Sequence, residues 1–177
     1  MRTLILGLGN ELLRDDGLGL HAVRLLREEL DGVPGLGLDL TFAESHRGGL
    51  ELLDLLSGHD HERAIIIDAL VGEEPGKIRR FILGELELKA GPGTRARAGA
   101  LTPHRAGLLE AAALARKLHL DFPQEVVIYG VGAADPYTVG ERLTEPVAAA
   151  LPRLIELVKR EIVAPTLEGY NLRHGYG

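Results

Sequence analysis

Arg63-Ala64-Ile65-Ile66-Ile67-Asp68 is the stretch on which the fold turns. Its β-branched centre carries no polar residue between Ala64 and Ile67, and a strand of that kind needs cover on both faces. Upstream, Thr3-Leu4-Ile5-Leu6 is a second apolar run, and Gly7-Leu8-Gly9-Asn10 ends it in a tight turn. A loop from Glu11 to Gly17 leads into an amphipathic helix in which Ala22, Leu25, Leu26 and Leu30 recur at helical spacing, stopping before Pro34. Leu36, Leu38 and Leu40 alternate with Gly37, Asp39 and Thr41, a half-buried strand leading to the segment Ala43-Glu44-Ser45-His46-Arg47-Gly48-Gly49 and then a short leucine-rich helix.

Downstream, Pro75-Gly76 sets a turn, and Lys77 to Leu83 reads as a strand paired antiparallel to its neighbour. Lys89 to Gly99 is rich in Gly, Ala and Arg and reads as a mobile loop carrying Arg95 and Arg97. Thr102-Pro103-His104 has the hydroxyl of an N-cap and a proline at the first helical position, and Leu108, Ala112, Ala115 and Leu118 continue the helix. Val126-Val127-Ile128-Tyr129 gives a last strand, and Thr144 caps a final helix with a kink at Pro152. The alternation predicts one α/β domain over 1–163, three layers α/β/α about a mostly parallel, mixed sheet of five to six strands, phosphorylase/hydrolase-like. The tail 164–177 shows no pattern, and its order is left open.

The 177 residues are 45% hydrophobic, with 26 acidic against 20 basic residues and a net charge of −6. That balance offers no footprint for nucleic acid. With no cysteine there is no disulfide, thiolate nucleophile or sulfur-ligated metal. No run approaches membrane-spanning length, and the first residues enter a strand directly, so a cytoplasmic protein is expected.

In parallel α/β sheets, ligands bind beyond the carboxyl ends of the strands. The loops there, with the start of the helix that Thr102 caps, supply Asn10, Asp15, Asp16, Glu44, His46, Asp68 and His104. Two carboxylates and an imidazole from three elements can hold one face of an octahedral divalent ion, and Asp16, Asp68 and His104 fit that description. Plainer readings stand beside this one. Asp15 and Asp16 precede a helix, where carboxylates cap amides; Asp68 can simply accept loop hydrogen bonds; His104 has the place of a first-turn surface residue. His59-Asp60-His61 precedes the third strand and therefore belongs to the opposite edge. Gly7-Leu8-Gly9 lacks the third glycine of a dinucleotide fingerprint, Leu12 taking its place, and no Walker loop, His-Glu-x-x-His or Gly-x-Ser-x-Gly occurs.

The stretch Leu6-Gly7-Leu8-Gly9-Asn10-Glu11-Leu12-Leu13-Arg14-Asp15-Asp16-Gly17-Leu18-Gly19 resembles the opening signature of the hydrogenase maturation endopeptidases. The similarity continues through Ile65-Ile66-Ile67-Asp68-Ala69, Leu101-Thr102-Pro103-His104-Arg105-Ala106-Gly107-Leu108 and Tyr129-Gly130-Val131-Gly132, covering roughly 1–163. The resemblance implies an enzyme that cuts the precursor of a nickel-iron hydrogenase large subunit once, beyond its last metal-binding cysteine motif, after nickel is in place. It makes Asp16, Asp68 and His104 the metal-binding trio, and the metal the substrate's own nickel rather than a resident ion. Asp16 or Asp68 then helps activate water. Where many relatives carry Asp-Gly-Gly-Thr, this chain has Glu44-Ser45-His46-Arg47 before Gly48-Gly49, so Glu44 is a third catalytic candidate and His46 a further donor. Arg95 and Arg97 would steer an acidic partner segment. Two rival readings remain: a nickel checkpoint or chaperone that cleaves nothing, and a nucleotide enzyme of similar layering.

Overall fold

The computed structural model describes residues 1–30, 38–46, 49–90 and 103–163, giving the helical backbone alone for 50, 87–90 and 103–106. In chain order the elements are β1 (Arg2–Leu8), a 3-10 turn (Arg14–Gly17), α1 (Leu18–Leu30), β2 (Asp39–Ser45) and α2 (Leu50–Leu56). They continue with β3 (Arg63–Leu70), β4 (Ile78–Ile82), α3 (Leu83–Ala90), α4 (Pro103–Leu118), β5 (Glu125–Gly132) and α5 (Glu145–Val163). The five strands lie in the order β2-β1-β3-β5-β4. All pairings are parallel except β4 against β5, so the expected mixed α/β sheet is the one found.

Strand alternation sorts the core into two layers. Ile5, Ile65, Ile67, Val127 and Tyr129 meet α1 and α5 through Val23, Leu26, Leu154 and Val158. Leu4, Leu6, Ala64, Ile66 and Ile128 turn the other way, onto α2 and α4 through Leu52, Leu56, Leu108 and Ala112. All eight residues of β3 are buried, as its apolar run requires. The chain leaves β1 for β2 on one side and then crosses back to β3 on the other, so the strand order reverses at the carboxyl ends of β1 and β3. A crevice at such a reversal is where this architecture places ligands.

Two glycines bring the first loop and α1 tight against that edge. Gly9 has φ +139°, and a Cβ on it would run into the backbone oxygen of Asp16; a Cβ on Gly19 would strike the backbone oxygens of Leu8 and Ile67. The glycine pattern therefore serves close strand-to-helix approach rather than a pyrophosphate.

Two elements depart from expectation. β2 runs on past the Leu36–Leu40 alternation, because the ladder with β1 runs in register from Arg2 beside Asp39 to Leu8 beside Ser45. Ala43, Glu44 and Ser45 thus belong to the strand, not to the loop beyond it. α3 has no anticipated counterpart: only Leu83 and Leu86 anchor it among its described side chains, too few to set a period. Arg95 and Arg97 lie outside the described residues.

Candidate active site

The first loop brings two adjacent acids to the reversal point, and they do different work. Asp15 is 0% exposed. Its carboxylate accepts the N–H groups of Ala134 (2.9 Å), Asp135 (2.8 Å) and Thr144 (2.7 Å) and the Thr144 hydroxyl (2.8 Å). It thereby ties the loop after β5 and the start of α5 to the end of β1, a structural task that uses its lone pairs fully. Asp16 is half-buried and accepts the Asn10 N–H at 2.9 Å. That bond closes the loop on itself at the carboxyl edge of the sheet.

Asp68 lies near the carboxyl end of β3, 0% exposed, level with Gly130 of β5, and accepts the Ala69 N–H at 2.9 Å. By alternation it shares a face with Ala64 and Ile66, the face covered by α2 and α4. α4 leads into the amino end of β5, where the Gln124 N–H donates to Glu62 O, and its 16 residues span about 24 Å. Its first turn, with His104, therefore comes to the carboxyl edge on the same face as Asp68. The His104 side chain is outside the described residues. Among those that are described, no three His, Cys, Asp or Glu side chains gather to hold a metal.

Glu44 stands elsewhere. On β2 it shares parity with Leu40 and Phe42, which pack toward α1, and so occupies the sheet face opposite Asp68. Arg24 of α1 donates to its Oε2 from Nε (3.0 Å) and Nη2 (2.8 Å), and Arg27 lies 3.9 Å from Oε1. The structure does not bring Glu44 to Asp68; it makes it the ion partner of Arg24. The same guanidinium donates to Glu11 at 2.8 Å and holds that carboxyl below its usual range. Arg24 was legible only as a polar position on α1, because its two partners lie 13 and 20 residues away. His46 is exposed just past β2.

His59 and His61 sit at the opposite edge, as their place before β3 predicts, with ring centroids 5.9 Å apart. A cleft of about 320 Å³ lies there, lined among others by Arg2, His61 and Phe122. Burial pushes the His61 imidazole below its usual range, toward the neutral form. This cleft and Asp68 lie toward opposite ends of β3, about 17 Å apart along the strand.

Residues 47–161 match the family model described as hydrogenase maturation protease. The chain is 28% identical over 160 residues to the hydrogenase expression/formation protein HupD of Rhizobium leguminosarum bv. viciae, covering 90% of this chain and 73% of that protein. It is 30% identical over 145 residues to the protein FrxA of Pyrococcus furiosus, covering 81% and 93%. Among solved structures, the hydrogenase maturating endopeptidase HybD of Escherichia coli superposes with a TM-score of 0.66 at 26% identity, over 89% of this chain and 90% of that one. The HybD maturation protease of Thermococcus kodakarensis gives 0.64 at 27%, over 92% and 99%. With Asp16 in the loop after β1 and Asp68 on β3 at the reversal point, and the family match extending from 47 to 161, the chain belongs to the hydrogenase maturation proteases.

Proposed function

We propose that this protease removes the C-terminal extension of a nickel-iron hydrogenase large-subunit precursor, in the cytoplasm, once nickel has been inserted. Asp16, Asp68 and His104 are the groups that engage the nickel carried by the precursor. The observation that carries the reading is Asp68: a carboxylate sealed from water near the end of a central strand, at the point of strand reversal. A carboxylate oxygen fixed at a strand end is a donor that a divalent ion brought by the substrate accepts.

Nickel then acts as part of the substrate, fixing the segment to be cut against the two aspartates and converting recognition into orientation. Asp16, half-buried at the carboxyl edge, is the better placed of the pair to meet water. Its carboxylate takes a proton from the attacking water as the oxygen adds to the scissile carbonyl carbon, then hands that proton to the amide nitrogen, which leaves as the amine when the C–N bond breaks. Glu44 is assigned no step, since Arg24 engages it on the other face.

Intact-mass measurement of the large-subunit precursor after incubation with this protein, with and without nickel, tests the reading. Loss of a single C-terminal peptide only from the nickel-loaded precursor is expected. Cleavage independent of nickel would overturn the nickel requirement, and binding without any change of mass would favour a checkpoint over a protease.

A further inference from the structure

Leu12, Tyr137 and Val139 stand 59%, 73% and 81% exposed. They belong to the two loops that follow β1 and β5 at the carboxyl edge. Single apolar side chains on a surface are ordinary. These three are gathered: the Gly140 N–H donates to Leu12 O at 2.9 Å, the Arg14 N–H donates to Gly140 O at 2.7 Å, and Leu13 and Gly140 form a parallel bridge. Val139 is thus set beside the Leu12–Leu13 peptide, with Tyr137 two residues before it.

The frame beneath them is tightly bonded. The buried Asp15 carboxylate grips Ala134, Asp135 and Thr144, the Asp15 N–H donates to Asp135 O at 3.2 Å, and Asp135 accepts the N–H groups of Tyr137 (3.4 Å) and Thr138 (3.0 Å). Large apolar side chains held outward on a frame already ordered lose little further freedom when a partner covers them, which is how preorganised interfaces gain affinity. Within the frame Arg14 pairs with Asp135 at 3.2 Å, and Glu141 and Arg142 stand exposed just beyond Gly140. The rim itself offers the apolar area of Leu12, Tyr137 and Val139 beside those two charges.

We propose that Leu12, Tyr137 and Val139 form a docking rim for an apolar stretch of the precursor next to the bond that is cut. This rests on the protease reading above. The occupant follows from continuity with the site: Leu12 lies in the same loop as Asp16, and the Asp16 carboxylate holds the Asn10 N–H of that loop at 2.9 Å. A peptide presented to Asp16 runs beside Leu12 and the Val139 segment bonded to it.

The test is steady-state cleavage and direct binding of the nickel-loaded precursor by the wild-type protein, a Leu12→Ser/Val139→Ser double variant and Tyr137→Ser. The double variant is expected to raise KM about tenfold or more while kcat changes much less, with its unfolding midpoint preserved. An unchanged KM, or a loss confined to kcat, would overturn the rim. If the wild type binds the precursor without cutting it, the protease reading fails, and about tenfold weaker binding by the double variant still supports the rim. If the wild type neither binds nor cuts, both fall.

Discussion

Asp15 and Asp16 are neighbours in one turn with opposite expected responses to substitution. Replacing Asp15 by alanine strips the acceptor from three backbone N–H groups and a hydroxyl in a buried place. Leaving such donors unsatisfied costs roughly 1–3 kcal/mol each before relaxation, so a net loss of about 3 kcal/mol or more is expected in urea unfolding. Asp16→Asn keeps an acceptor for Asn10 and should move stability by under about 1 kcal/mol, while peptide cleavage falls by about 10²-fold or more. Glu44→Gln should leave cleavage within about threefold of wild type, because its charge serves Arg24 and Arg27 at a partly exposed ion pair. A larger loss in the same single-turnover assay would return Glu44 to the chemistry. Asp16 and Asp68 were legible as candidates because strand ends and turns are local patterns. The task of Asp15 was not, since its partners lie 119 to 129 residues away, and sequence spacing cannot tell a cap on its own helix from one on another.

At the level of elements, close approach at the carboxyl edge and a polar lock at the amino edge hold helices to the sheet. Gly19→Ala drives a methyl group into the backbone oxygens of Leu8 and Ile67, atoms that cannot turn aside. A destabilisation of about 3 kcal/mol is expected from chemical denaturation, and an unshifted midpoint would refute the tight packing of α1 on β1 and β3. At the other edge, Glu161 of α5 accepts from Arg80 Nε (2.7 Å), Tyr129 OH (2.6 Å) and Arg63 Nη2 (2.6 Å), while Arg63, 1% exposed, also donates to the Glu161 backbone oxygen. The hydrogen bond from Arg80, with those of Tyr129 and the charge of Arg63, holds the Glu161 carboxyl at about 2 against an ordinary 4.5. A carboxyl lowered by folding stabilises fully above its unfolded pKa, and that contribution drains away as pH falls from about 4.5 through about 2. Glu161→Gln should therefore lower stability at neutral pH and flatten its dependence on pH across that window in acid titrations followed by circular dichroism. An identical acid profile for the two proteins would show the lock to be inert. None of this lock was visible in sequence. Arg63 marked only the first residue of a strand, and Glu161 is an ordinary charge on an amphipathic helix until β4 and β5 are placed beside it.

For the whole molecule, the three layers and the mixed sheet were readable because β1, β3 and β5 are apolar runs and the intervening helices show a clear stripe. What could not be read was how far β2 extends, which the register with β1 decides, and hence which face Glu44 occupies. The same sheet order that carries Glu44 away brings β1 and β3 side by side at the reversal, so that Asp16 and Asp68 arrive at one edge from residues 52 positions apart in the chain. No helix among the described residues is long and apolar enough to cross a membrane, and the two candidate aspartates share one sheet edge. The central claim is that Asp68 at that edge works on a nickel-loaded precursor. Single-turnover cleavage of that precursor by wild type and by Asp68→Asn, each first shown to bind it and to unfold at a comparable midpoint, puts the claim to its most direct trial. The account predicts a rate lower by about 10²-fold or more in the variant; cleavage by Asp68→Asn at the wild-type rate would contradict it.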